Sequence, residues 1–134
     1  MIIGIGTDLI EVARVARAYE KPAFRNRVYT RAEQELIRDR MQRAAAHFAV
    51  KEAVVKAFGT GFRGMSPSEI EVLRESSGKP YVVLYGNAKK EMERQRAVRI
   101  HVSMSDVREH ALAYVILEGV EHEVCNGKTA DDGN

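Results

Sequence analysis

Residues 43–61 read RAAAHFAVKEAVVKAFGTG, and the reading of this stretch decides the architecture. It is rich in alanine and free of proline, so a long helix over Arg43–Phe58 is expected. Gly59 stands where a left-handed residue would end it. Ala46, Val50, Ala53, Val54 and Ala57 recur at helical spacing and should bury one face. Glu52 and Lys56 are four apart and share the other face, with Phe48 and Val55 flanking Glu52. A solvated Glu–Lys pair stabilises a helix by only about 0.3–0.5 kcal/mol and needs no apolar flanks. Two readings stand on this stretch alone: an ordinary surface pair, or a site built around Glu52.

Working outward toward the N-terminus, Ile2–Gly6 is apolar, β-branched and punctuated by glycine, which predicts a short buried strand. The pattern turns helical over Leu9–Tyr19, so Asp8 is expected at the handover. It serves there as an N-cap or as a carboxylate held at the mouth of a cleft. Pro22 breaks the pattern and a short segment runs to Tyr29. Thr30-x-x-Glu33 is a capping box and opens a second helix to about Met41.

Toward the C-terminus, Gly59-Thr60-Gly61 and Arg63-Gly64 form a loop. Ile70–Arg74 and Tyr81–Tyr85 read as a hairpin around the turn Ser77-Gly78-Lys79-Pro80. Asn87–Arg96 is a charged surface helix, and Arg99–Ser105 and Ala111–Glu118 are the last strands. The whole reads as one α+β domain over residues 1–120, with helices packed on an antiparallel sheet. Residues 121–134 are expected to be a polar, disordered tail.

The chain has 134 residues, enough for one domain, and 45% of them are hydrophobic, enough for a core. The net charge of +2 and the lack of a base-stacking aromatic motif argue against nucleic acid as a partner. The basic residues are unevenly placed: residues 14–43 hold nine against four acidic ones. The single cysteine, Cys125, permits no disulfide within the chain and suits a reducing, cytoplasmic setting. No apolar run approaches the roughly 20 residues of a membrane span. The opening MIIGIG is too short for a signal peptide.

Other groups carry chemistry more weakly. Glycines at 59 and 61 let backbone amides approach an anion, although Lys56 precedes them and the pattern is not a Walker loop. A plain helix stop is the alternative. Lys79 is presented by a turn. Strand alternation sets His101, Ser103 and Ser105 on one side and Val102 and Met104 on the other.

No one of these motifs is decisive, but their order and spacing are. Gly4-Ile-Gly-Thr-Asp8 with Arg14, Phe48-Ala-x-Lys-Glu-Ala-x-x-Lys-Ala-x-Gly-Thr-Gly61, Ser77-Gly-Lys-Pro80, His101-Val-Ser-x-Ser105 and Ala111-x-Ala-x-Val-Ile-Leu-Glu118 closely resemble the holo-[acyl-carrier-protein] synthases. The resemblance covers about residues 2–118. It implies a 4′-phosphopantetheinyl transferase-like α+β fold and a homotrimer with an active site at each subunit interface. It also implies magnesium-dependent transfer of phosphopantetheine from coenzyme A to a serine of an acyl carrier protein.

By the same resemblance Asp8 and Glu52 are the magnesium ligands, and Lys56 stabilises transition-state charge. Lys79 and the amides of Gly59, Thr60 and Gly61 hold phosphates, and His101 and Ser103 line the coenzyme A site. Asp106 stands where histidine is common, which leaves a water, Asp106 or Glu52 as the proton acceptor. It also keeps open a non-catalytic nucleotide- or acidic-protein-binding module. His47 stands where arginine is common, so no arginine–phosphate contact is expected there. Carrier proteins are acidic, and Arg14, Arg17, Arg25 and Arg27 are the expected docking surface.

Overall fold

The computed structural model describes residues 1–121; most of the expected tail, with Cys125, lies outside the described residues. Strand β1 (Ile2–Glu11) leads into three short helices, α1 (Val12–Tyr19), α2 (Pro22–Val28) and α3 (Arg31–Ile37). The long helix α4 (Met41–Phe58) follows. A 3-10 turn (Pro67–Glu69) opens the hairpin β2 (Ile70–Arg74) and β3 (Pro80–Leu84). Helix α5 (Gly86–Arg94) and strands β4 (Ala97–Asp106) and β5 (His110–Gly119) complete the chain. Strands β1, β5 and β4 form an antiparallel sheet in that order, and β2–β3 form a second, separate one. The fold is α+β, as the pattern of elements predicts.

Helix α4 is the axis of the domain. It is buried nearly all round, because the large sheet covers one side, α1 to α3 another and β2 a third. After its first turn, only Phe48, Glu52 and Lys56 escape full burial. Val55 is wholly buried, so it is a core residue and not a flank of Glu52. The helix ends where expected, at Gly59 with φ +80°.

Helix and sheet meet almost backbone to backbone. A side-chain carbon on Gly6 would fall 2.0 Å from the Ala53 carbonyl oxygen, and one on Gly4 would fall 2.2 Å from that of Ala57. Only glycine permits this approach, and alanines on α4 complete it.

Three local expectations change. Asp8 lies inside β1 and not at a handover to helix, because pairing with β5 continues to Glu11↔His110. Helix α1 is therefore capped at Glu11, without a side-chain bond, and starts at Val12. The segment after Pro22 is helical. Helix α3 stops at Ile37, where Arg38 turns left-handed at φ 53°, so α3 and α4 are separate. The capping box at Thr30 and Glu33 is present as predicted.

Glu33 does more than cap. Its carboxylate is fully buried and accepts from Thr30 N (3.0 Å), His47 Nδ1 (2.9 Å), Lys51 Nζ (2.8 Å) and Val72 N (3.3 Å). Burial alone would raise its pKa, but His47 and Lys51 outweigh it and hold the carboxyl below its ordinary value. Burial pushes His47 below its usual 6.5 despite Glu33. Both folded values are depressed, so the unfolded chain binds more protons at acid pH and stability is lost as pH falls. The His47 contribution is expected to be lost first, as the pH falls below about 6.5, and that of Glu33 below about pH 4.5. Urea denaturation across that range should show both losses, and His47→Gln should abolish the first and keep the second.

Candidate functional site

The inner row of β1 runs Gly4, Gly6, Asp8, Ile10. Its glycines bring the strand onto α4, and the next residue of that row is Asp8. Across from it, α4 presents its one incompletely buried stripe. Lys56 Nζ lies 3.1 Å from Asp8 Oδ1 and also donates to the Thr7 carbonyl at 3.0 Å. Glu52, one turn before Lys56, is half-buried. Burial raises its pKa, the charge of Asp8 raises it further, and Lys56 opposes both. Asp8, Glu52 and Lys56 share an open cleft of about 520 Å³ with Arg14, Phe48 and His110.

A carboxylate pair that repels itself in a cleft is a receptor for positive charge. The described residues hold no group of three or more His, Cys, Asp or Glu side chains able to cage an ion. Two carboxylates suit a hard divalent cation whose remaining positions are filled by substrate oxygens and water. The donor set fits such an ion and does not fit structural zinc, which wants four ligands from the protein.

The other candidates are placed as follows. Thr60 N and Gly61 N donate to the Val55 carbonyl (3.2 and 3.3 Å), and Gly59 N to those of Val55 and Lys56. These amides turn back onto the end of α4, where the helix dipole disfavours an anion. Lys56 is then the group in this corner that suits a phosphate. Lys79 is exposed in the hairpin turn and lies outside the cleft lining. His101 and Ser103 are on the outer face of the sheet, the side away from α4, as the alternation predicts. His101 Nε2 is 2.8 Å from Glu118 Oε1. Asp106 ends β4, with β5 between it and β1. Within this chain the cleft is thus built from Asp8, Glu52 and Lys56 without Asp106, Lys79, His101 or Ser103.

Sequence reasoning did not single out His110. It pairs with Glu11 across β1–β5, a register that the hairpin pattern does not reveal in advance. Phe48 forms the apolar wall beside Glu52 that the sequence leads one to expect. Of the four arginines expected to dock a carrier, Arg14, Arg17 and Arg27 are exposed. Arg25 is tied down by a 2.8 Å bond to the Tyr19 carbonyl and by stacking on the Tyr19 ring.

A sequence profile of the 4′-phosphopantetheinyl transferase superfamily matches residues 4–115. A holo-[acyl-carrier-protein] synthase of Lachnoclostridium phytofermentans is 54% identical over 118 residues, covering 88% of this chain and 97% of the relative. One from Clostridium tetani is 46% identical, covering 89% and 98%. Among solved structures, the holo-[acyl-carrier-protein] synthase of Neisseria meningitidis superposes with a TM-score of 0.80 at 35% identity, covering 88% of this chain and 99% of that one. The Helicobacter pylori synthase, solved in complex with coenzyme A, gives 0.78 at 26%, covering 85% and 99%.

The coupling of the two carboxylates can be tested without turnover. Asp8→Asn is expected to lower the midpoint of Glu52 in a carboxyl NMR titration. An unmoved midpoint would show that the two groups do not sense each other.

Proposed function

The chain belongs to the 4′-phosphopantetheinyl transferase superfamily, and from that membership we propose how its residues move phosphopantetheine from coenzyme A to a serine of an apo acyl carrier protein. The observation that carries the reading is the meeting of Asp8, from the first strand, with Glu52 and Lys56 of the long helix in one cleft, although Asp8 lies far from both in the chain.

In the reaction, the serine hydroxyl attacks the phosphorus that bears pantetheine. The bond from that phosphorus to the bridging oxygen breaks, and adenosine 3′,5′-bisphosphate leaves with the bond's electron pair. Asp8 and Glu52 are the residues that would hold magnesium, which when bound neutralises charge on the diphosphate. Lys56, free to swing from Asp8 to a phosphate oxygen, stabilises charge on the transferring group. Glu52 lies in the cleft and Asp106 does not, so Glu52 is the acceptor that the protomer itself offers for the serine proton. Phe48 keeps water from one side of that carboxylate. Arg14 opens onto the same cleft and guides the acidic carrier to it, with Arg17 and Arg27 extending the basic surface.

The outer sheet face supports assembly. Ile5, Leu9 and Tyr114 are more than half exposed there, beside Ile116, an apolar area suited to burial against copies of this chain. In a homotrimer, coenzyme A would lie between neighbours. A neighbour could then supply Lys79, His101, Ser103 and Asp106, which its own cleft does not use. We place the reaction in the cytoplasm, in fatty acid biosynthesis. No helix among the described residues is long and apolar enough to cross a membrane.

Intact-mass analysis of an apo carrier incubated with the protein, coenzyme A and magnesium tests the reading directly, with a phosphopantetheine adduct as the expected result. Glu52→Gln is expected to lower kcat by two or more orders of magnitude at every magnesium concentration, and near-normal turnover would refute its role. Charge reversal in Arg14→Glu should raise KM for the carrier by about tenfold while KM for coenzyme A stays put. Equal effects on both constants would remove Arg14 from docking.

A further inference from the structure

Beside Glu52 stands a lysine that the transfer chemistry does not use. Lys51 is wholly buried. Its ammonium donates to Glu33 Oε1 at 2.8 Å, to the Pro67 carbonyl at 3.1 Å and to the Ile70 carbonyl at 2.5 Å. The Tyr29 ring lies 5.6 Å away.

A buried ion pair is a poor device for stability alone, since well-packed apolar residues in its place are often neutral or stabilising. A methionine would fill the same space. What an ammonium adds is directionality: it holds three acceptors from two other parts of the chain at fixed angles. Two of them, Pro67 and Ile70, bracket the 3-10 turn at which the chain returns from the glycine segment. That segment leaves α4 at Gly59. Residues 59–66 are therefore anchored to one helix at both ends, through Gly59 and through Lys51.

Successive side chains on a helix are about 100° apart. Fixing Lys51 toward β2 thus fixes Glu52 toward the cleft. We propose that Lys51 is a positioning residue: its hold on the Pro67 and Ile70 carbonyls sets both the direction of Glu52 and the path of residues 59–66 beside Lys56. The kinetic consequence rests on the transferase reading, and the structural one does not.

Two variants separate positioning from plain core packing. Glu33→Gln with Lys51→Met removes both charges and strands no ion, but abolishes the hold on the carbonyls. Glu33→Gln alone leaves a lysine amine that still donates to both. The double variant is expected to melt cooperatively, to lose kcat by about tenfold or more with the carrier KM unchanged, and to exchange the amides of residues 59–66 faster. Glu33→Gln alone should keep kcat within about threefold and the exchange of that segment unchanged. A folded double variant with wild-type kcat and wild-type exchange would make Lys51 an ordinary core residue and overturn the proposal. If the double variant does not fold, the single one decides. A collapse of its kcat with unaltered exchange over 59–66 would show that charge, and not the hold, matters. Wild-type protein assayed in parallel guards the premise: failure to load the carrier would defeat the transferase reading, while the exchange data would still judge the role of Lys51.

Discussion

Everything in this domain depends on how closely β1 lies against α4. Two glycines on the inner row of the strand allow the backbones to touch, at the carbonyls of Ala53 and Ala57. The contact leaves no room for side chains at Gly4 or Gly6. One step along the same row, the first side chain with any length is Asp8, and the facing helix offers Glu52 and Lys56. The site is the place where a close packing of small residues ends. Its geometry is inherited from the core.

The electrostatics follow from that closeness. Two carboxylates are held near each other, with Glu52 partly withdrawn from water and its proton affinity raised by burial and by Asp8. A single lysine leans on Asp8. This arrangement is poised and unfavourable by itself. A small, highly charged partner would relieve it, and so would a diphosphate that brings its own counter-cation. The Glu33–Lys51–His47 cluster differs in kind. There the charges are sealed in, the Glu33 carboxylate met by donors and the Lys51 ammonium by acceptors, so they constrain the frame and do not act on a substrate.

Much of this was legible in the residues. The long helix, the capping box at Thr30, the β2–β3 hairpin and the alternation along β4 all follow from local spacing and turn chemistry, and all are present. The meeting of Asp8 with Glu52 and Lys56 followed only from the likeness of the blocks to a known family, because no local rule connects residues more than forty apart. What local rules misjudged has a common cause. Asp8 reads as a strand end and Val55 as a flank of Glu52 because both judgements use one element at a time. The continued pairing of β1 with β5, and the burial of α4 on three sides, are tertiary facts. The buried role of Lys51 was hidden for the same reason: beside Glu52 on a helix, it reads as one more surface charge.

Strand β1 has an unusual consequence for divergence. Facing inward it tolerates nothing larger than hydrogen at two positions, and facing outward it carries Ile5 and Leu9 in an apolar patch. Neither side of this strand is neutral ground. Drift among relatives should therefore gather elsewhere, on the exposed face of α5, while the first ten residues change slowly.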